Sequence, residues 1–120
     1  MEVGVGIHGE PGRRRAKQVT ANEVVSLLME AVAPDLPFGS GDRVALMING
    51  LGGTPISELY LLYGIAHERL AAQGIQVARS YVGEYCTSLE MAGASLTLVK
   101  LDDELMSLLL APAVIPYRVF

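Results

Sequence analysis

The stretch Val44-Ala-Leu-Met-Ile-Asn-Gly-Leu-Gly-Gly-Thr-Pro55 decides the fold, because it predicts a strand, a turn and a helix in direct succession. Residues 44–48 form a continuous apolar run of strand length, which is typical of a strand covered on both faces. Residues 49–53 predict a glycine-rich turn. Thr54 stands where it can cap a helix whose first residue is Pro55, a position at which the missing N–H costs nothing.

Similar patterns extend this unit in both directions. Strands are predicted at residues 2–7, 44–48, 75–82 and 95–101. Helices are predicted after the capping-box pattern Thr20-Ala-Asn-Glu23, from Pro55 to a stop at Gly74, and over Leu105–Leu110, with a short helical turn at residues 87–90. The order β-α-β-α-β-β-α predicts a single α/β domain with a mostly parallel or mixed four-stranded sheet and about three packed helices.

The composition is that of a packed globular domain. Of the 120 residues, 51% are hydrophobic and 18% are charged, which excludes a disordered chain. No apolar run approaches the roughly 20 residues of a membrane-spanning helix, so the apolar excess is assigned to the core or to an interface. Nothing after Met1 resembles a signal peptide, and the single cysteine fits a reducing cytoplasm. Met1 is either the native start or an internal methionine of a longer frame.

The charge distribution argues against nucleic acid as a partner. The net charge is -4, although Arg13, Arg14, Arg15 and Lys17 form one short basic segment. Nonspecific binding to phosphates requires cations spread over a surface, which an acidic body with one basic loop does not offer. The basic segment is either a solvated loop or a means of steering a phosphorylated product or an acidic partner.

His8 is the residue in the chain that most suggests chemistry. If residues 2–7 form a strand, alternation places His8 on the same face as Gly4 and Gly6, which would leave a bare strip beside the imidazole. Glycines in a strand often mark the close approach of a ligand or of another backbone. A histidine at a strand end is more often a surface or hydrogen-bonding residue, so the pattern alone leaves both interpretations open.

A family resemblance favours the functional interpretation. The segment Gly4-Val-Gly-Ile-His8-Gly-Glu-Pro-Gly12 resembles the motif of dihydroxyacetone kinases whose histidine binds the substrate ketone. The similarity continues through Gly41-Asp-Arg-Val-Ala, Asn49-Gly-Leu-Gly-Gly-Thr-Pro55, Ser57-Glu-Leu-Tyr60, Tyr85-Cys-Thr-Ser-Leu-Glu-Met-Ala-Gly93, Ser95-Leu-Thr-Leu-Val-Lys-Leu-Asp-Asp-Glu104 and Ala111-Pro112. These motifs cover nearly the whole chain and correspond to the carboxy-terminal part of the dihydroxyacetone-binding subunit or domain.

The resemblance implies a covalent role for His8. Its imidazole would attack the carbonyl carbon of dihydroxyacetone (glycerone) and hold the triose as a hemiaminal, with Gly6 and Gly9 as substrate-binding neighbours. A neutral imidazole is a competent nucleophile near neutral pH. His8 would then be an anchor that positions a triose hydroxyl for phosphoryl transfer, and not the carrier of the phosphoryl group.

The resemblance also implies that the rest of the kinase lies outside residues 1–120. The family's acid/base histidine and aspartate belong to an amino-terminal half. The phosphoryl donor, either ATP with magnesium or a phosphotransferase relay, belongs to a separate module, and residues 50–53 do not make a P-loop. We expect no metal or cofactor in this chain and little activity from it alone. The expected partners are dihydroxyacetone, the amino-terminal half, a nucleotide-binding kinase subunit and a second copy in a homodimer, but neither nucleic acid nor membrane.

Other residues have weaker alternatives. His67 is expected to pack or to lie at the surface, and Cys86 to be a small buried hydrophobe. Residues 49–55 either bind an anion or form a turn shaped for packing, and Glu10 either orients its loop or is an ordinary turn residue. The acids 102–104 suggest either magnesium or the start of a helix. Two rivals to the kinase function stay open: a triose-sensing co-activator of transcription, and a non-catalytic remnant or oligomerisation domain.

Overall fold

The structure is a computed structural model that describes residues 1–8 and 10–114. In these ranges the strands are β1 (Glu2–Val3), β2 (Arg14–Arg15), β3 (Arg43–Gly52), β4 (Gln76–Gly83) and β5 (Ala92–Leu101). The helices are α1 (Ala21–Val32), α2 (Ile56–Ala72) and α3 (Asp103–Leu110), and a short 3-10 helix (Ala33–Asp35) follows α1. The prediction of an α/β domain is confirmed.

The larger sheet has the strand order β4-β3-β5. β3 pairs in parallel with β4 and antiparallel with β5, so that Met47 lies opposite Tyr81 on one side and Thr97 on the other. A parallel pair requires a crossover connection, and α2 supplies it between β3 and β4. The sheet is therefore mixed, which is one of the two forms predicted, the other being mostly parallel.

The predicted strand at residues 2–7 does not join this sheet, which has three strands within the described residues and not four. Only Glu2 and Val3 are extended, and they pair antiparallel with Arg15 and Arg14. The alternation stops at Gly4, whose φ of +77° belongs to the left-handed region that glycine tolerates. Residues 1–8 and 10–16 belong instead to a separate hairpin, which we call the amino-terminal hairpin.

The main hydrophobic core lies between α1, α2 and one face of the larger sheet. Val44, Leu46 and Ile48 of β3 point into it and are fully buried, and Leu59 of α2 is equally inaccessible. On the opposite face of β3, Ala45 belongs to a smaller cluster of buried residues that α3 helps to cover. Coverage on both faces explains why the apolar run of this strand is continuous.

Side-chain caps begin α1 and α3 as predicted, whereas the predicted cap of α2 is wrong. The capping box at α1 is confirmed, because Thr20 and Glu23 bond each other's backbone N–H. The Thr20 hydroxyl and backbone N–H both donate to the Glu23 carboxylate and hold its pKa below the ordinary value. Thr54 does not cap α2. Its hydroxyl donates to the Gly93 carbonyl at 2.8 Å, and Pro55 is the N-cap. α3 begins at Asp103, because Asp102 accepts the Leu105 N–H.

Two loop predictions are also corrected. Residues 49–52 continue β3 as a strand, since their backbone pairs with residues 92–95 of β5. Residues 87–90 form no helical turn. Glu90 has a φ of +55°, outside the right-handed helical region, so the segment is an irregular connection between β4 and β5. Among the described residues, no helix is both long and apolar enough to cross a membrane.

Truncating the core of β3 should destabilise the domain strongly. Leu46→Ala removes a fully buried side chain, so we expect the free energy of unfolding to fall by about 2–5 kcal/mol. Leu89→Ala is the matched control, because Leu89 is 88% exposed in the connection between β4 and β5, and it should change the free energy of unfolding by less than about 0.5 kcal/mol. Urea denaturation monitored by circular dichroism measures both, and equal losses would contradict this core.

Candidate functional site

His8 lies at the tip of the amino-terminal hairpin. The hairpin is closed by the Ala16 and Arg13 N–H groups, which donate to the carbonyls of Met1 at 2.9 Å and Val3 at 2.7 Å. The imidazole of His8 is 81% exposed, so it is neither buried in the core nor packed under another element. A ring presented in this way is open to a small molecule or to another protein surface. Gly9 lies outside the described residues.

The carboxylate of Glu10 contacts His8 twice. One oxygen, Oε2, accepts the backbone N–H of His8 at 3.0 Å, and the other, Oε1, lies 3.5 Å from the ring nitrogen Nδ1. The carbonyl of Glu10 accepts the Gly6 N–H at 3.2 Å, which folds the chain back on itself. The backbone N–H groups of Glu10 and His8 hold the pKa of the Glu10 carboxyl below its ordinary value, and the His8 charge adds to this effect.

Two glycines of the hairpin, Gly4 and Gly6, leave room for side chains from the other part of the hairpin. A Cβ on Gly6 would collide with the Glu10 carboxylate, and a Cβ on Gly4 would meet the Arg13 Cγ at 3.2 Å. The expectation of a bare strip beside the imidazole is therefore wrong, because the chain turns after Val3 and folds Glu10 and Arg13 across the glycines. A substrate-binding role for Gly6 stays a prediction.

A second arrangement, which the sequence did not suggest, lies at the carboxyl ends of β3 and β4. Asn49 is only 5% exposed and uses both ends of its side-chain amide. Its Oδ1 accepts the N–H groups of Tyr85 at 2.8 Å and Cys86 at 3.0 Å, while Nδ2 donates to the Cys86 carbonyl at 2.7 Å. A buried amide with these partners ties the loop after β4 to the end of β3.

The backbone around Gly52 strengthens this connection. Gly52 donates its N–H to the Thr87 hydroxyl at 2.8 Å, and Gly53 donates to the Met91 carbonyl at 2.7 Å. Both N–H groups are thus engaged within the chain, which favours the packing interpretation of residues 49–55 over the anion site. A polar residue at the end of a buried apolar run was the available signal for Asn49.

The remaining candidates occupy ordinary positions. Cys86 is exposed, contrary to the prediction of a buried hydrophobe, and its contacts to Asn49 are made by its backbone. His67 is exposed on α2, with its ring centroid 5.7 Å from that of Tyr63. Asp103 pairs with Arg43 at 2.6 Å, which accounts for one of the acids near α3. Within residues 1–8 and 10–114, no three His, Cys, Asp or Glu side chains group as a metal site.

The basic segment surrounds the second strand of the hairpin. Its four cationic side chains are exposed, and they belong to Arg13, Arg14, Arg15 and Lys17. Arg15 lies 4.0 Å from Glu2 across the hairpin, which makes at most a weak surface pair. The segment therefore has charge available near His8, and its role in steering an anion stays a prediction.

Comparison with known proteins places this hairpin and sheet in a family. The model of the Dak1 domain matches residues 1–117. The chain belongs to the Dak1 domain family. The L-erythrulose 1-kinase of Mycolicibacterium smegmatis is 50% identical over 98% of this chain. A PTS-dependent dihydroxyacetone kinase of Listeria innocua, dihydroxyacetone-binding subunit, is 44% identical over 98% of this chain.

Solved structures of Dak1 relatives share the fold. The dihydroxyacetone kinase operon co-activator Dha-DhaQ superposes over 91% of this chain, and 34% of its own, with a TM-score of 0.83 and 31% identity. The dihydroxyacetone kinase from C. freundii in complex with AMP-PNP and Mg²⁺ gives a TM-score of 0.69 and 32% identity, over 91% of this chain and 20% of that one. The chain spans only 22% and 35% of the length of the two curated relatives.

Removing the Asn49 amide should release the loop after β4. Asn49→Ala leaves two backbone N–H groups without their acceptor, at a cost of about 1–3 kcal/mol. Amide hydrogen exchange at Tyr85 and Cys86 should accelerate roughly tenfold or more. Ser95→Ala is the control, because Ser95 accepts only the longer 3.4 Å contact from Asn49. Unchanged exchange in Asn49→Ala would show that the loop is held by other contacts.

Proposed function

We propose that this chain is the substrate-anchoring part of a dihydroxyacetone kinase, and that His8 holds the triose covalently. The observation that carries the proposal is the exposed imidazole of His8 on a Dak1 hairpin. Relatives that the chain matches over nearly its whole length are named as kinases of dihydroxyacetone and erythrulose. Both names describe short ketoses, which share the carbonyl that a nucleophile requires.

The chemistry of capture is an addition to the ketone. A ring nitrogen of His8 forms a bond to the carbonyl carbon, the π electrons move to the oxygen, and that oxygen takes up a proton. The product is a neutral hemiaminal once the other ring nitrogen has lost its proton, which balances the proton taken up by the oxygen. Anchoring confers proximity and orientation on the triose hydroxyl that accepts the phosphoryl group. Glycerol has no carbonyl and cannot be captured in this way.

The rest of the catalytic machinery lies on other parts of the protein or on partners. The chain covers a minor share of its relatives, which fits an amino-terminal half that completes the pocket. The phosphoryl donor, ATP with magnesium or a phosphotransferase relay, is bound by a separate module. We further propose a cytoplasmic location, which the single cysteine favours. We also propose a homodimeric assembly, since the exposed apolar side chains include Tyr60 and Leu61 of α2.

A second candidate function is a triose-sensing co-activator. It is favoured by one observation, the TM-score of 0.83 to the co-activator Dha-DhaQ against 0.69 to the kinase from C. freundii. Such a protein would retain the carbonyl-binding histidine and contact a transcription factor. Affinity purification of the protein from its own cells distinguishes the two, since a kinase subunit supports the first function and a transcription factor the second.

Substitution of His8 should abolish covalent capture. With dihydroxyacetone labelled with ¹³C at the carbonyl and the amino-terminal half supplied, we expect a new tetrahedral carbon signal in the NMR spectrum. His8→Ala should eliminate that signal and the kinase activity of the assembly. His67→Ala is the matched control, because His67 lies on α2 and not in the hairpin, and it should leave both unchanged.

One outcome of this experiment would refute the role of His8. A tetrahedral signal that persists in His8→Ala would transfer the anchor to another residue and refute the assignment. The 120-residue chain without the amino-terminal half should give weak binding or none, because its pocket lacks a wall. Glycerol should produce no such signal under any of these conditions.

A further inference from the structure

Glu10 has no part in the function proposed above, although its carboxylate contacts both the backbone N–H and the ring of His8. We propose that Glu10 is a positioning residue, which orients the His8 imidazole and keeps the ring proton on Nδ1. The lone pair is then on Nε2, the nitrogen that would attack the carbonyl of the triose. The catalytic meaning of this arrangement rests on the proposed function, but the position of the proton can be measured without any substrate.

The carboxylate is held in place by the local backbone and by the glycine beneath it. The His8 N–H donates to Oε2, and the Gly6 N–H donates to the carbonyl of Glu10. The space that a side chain at position 6 would fill contains the Glu10 carboxylate instead. An exposed ion pair contributes little by its strength alone. The hydrogen bond from the His8 backbone holds one carboxylate oxygen, which leaves the other as a charged acceptor beside Nδ1, one of the two ring nitrogens.

The geometry selects a tautomer of the neutral ring. A neutral imidazole carries one N–H donor and one acceptor nitrogen, whereas an ionised carboxylate only accepts. With Oε1 3.5 Å from Nδ1, the proton is favoured on Nδ1 and the lone pair on Nε2. At 3.5 Å the contact is longer than a formed hydrogen bond. Catalytic hydrogen bonds are often long in ligand-free sites and shorten in the substrate complex.

The same contact assists the addition. When Nε2 of His8 forms its bond to the carbonyl carbon, the ring is left with a positive charge until the Nδ1 proton departs. The Glu10 carboxylate lies beside that proton, so it stabilises the charge as it develops and accepts the hydrogen bond. Loss of the carboxylate should therefore slow adduct formation more than it weakens the first, noncovalent binding of the triose.

The tautomer can be measured in the ligand-free chain. Imidazole ¹⁵N shifts at about pH 8.5, roughly two units above the ordinary histidine pKa, should show His8 with its proton on Nδ1. In water a neutral histidine side chain prefers the proton on Nε2, so this result is diagnostic. Glu10→Gln should move His8 toward the Nε2–H form. The second histidine, His67, reports in the same spectrum and should not change.

Glu2→Gln is the matched control for this substitution. Glu2 is another glutamate of the hairpin, and its Oε1 accepts the Gly12 N–H at 3.1 Å, but no described contact joins it to His8. It tests whether any disturbance of the hairpin changes the ring. A His8 ring that is protonated on Nε2 in the native chain, or that responds equally to both substitutions, would overturn the proposal.

Kinetics in the complete assembly separate this proposal from the proposed function. Glu10→Gln should slow hemiaminal formation about tenfold to a hundredfold, with KM for the triose little changed. If His8→Ala abolishes the adduct and Glu10→Gln leaves its rate unchanged, the role of Glu10 is refuted and that of His8 stands. If His8→Ala retains the adduct, the anchor is refuted, while the tautomer experiment still decides what Glu10 does to the ring.

Discussion

Burial of β3 on both faces is the constraint on which the rest of the domain depends. Val44, Leu46 and Ile48 face α1 and α2, and the strand is paired along both of its edges. A strand that is paired along both edges and covered on both faces has little tolerance for unpaired polar groups. Asn49, at the end of its apolar run, is accommodated only because the loop after β4 supplies partners for the whole amide. Packing of the core thus organises the loops at this end of the sheet.

The amino-terminal hairpin obeys a different set of forces. None of its described residues belongs to either hydrophobic cluster. Its shape comes from backbone hydrogen bonds, from the left-handed Gly4 and from side chains folded over glycine, as with Glu10 above Gly6. A side chain on such a loop, like that of His8, is exposed and depends on local contacts for its orientation.

Sequence patterns predicted the elements whose causes are local. The Thr20 and Glu23 capping box and the long α2 helix were readable because they depend on residues three or four positions apart. The alternation of residues 2–7 was misleading, since period two describes a strand only if φ stays extended, and at Gly4 it does not. The exposure of Cys86 and the partners of Asn49 depend on contacts across 36 or 37 positions, which no local pattern encodes.

The separation of the hairpin from the core has a practical consequence for anyone preparing this protein. Thermal melting, calorimetry and far-ultraviolet dichroism are dominated by the helices and the larger sheet, to which residues 1–16 add little. A sample with a damaged or misfolded hairpin would therefore give nearly native results in all three of these measurements. Quality control requires a probe at the tip itself, such as the imidazole resonances of His8.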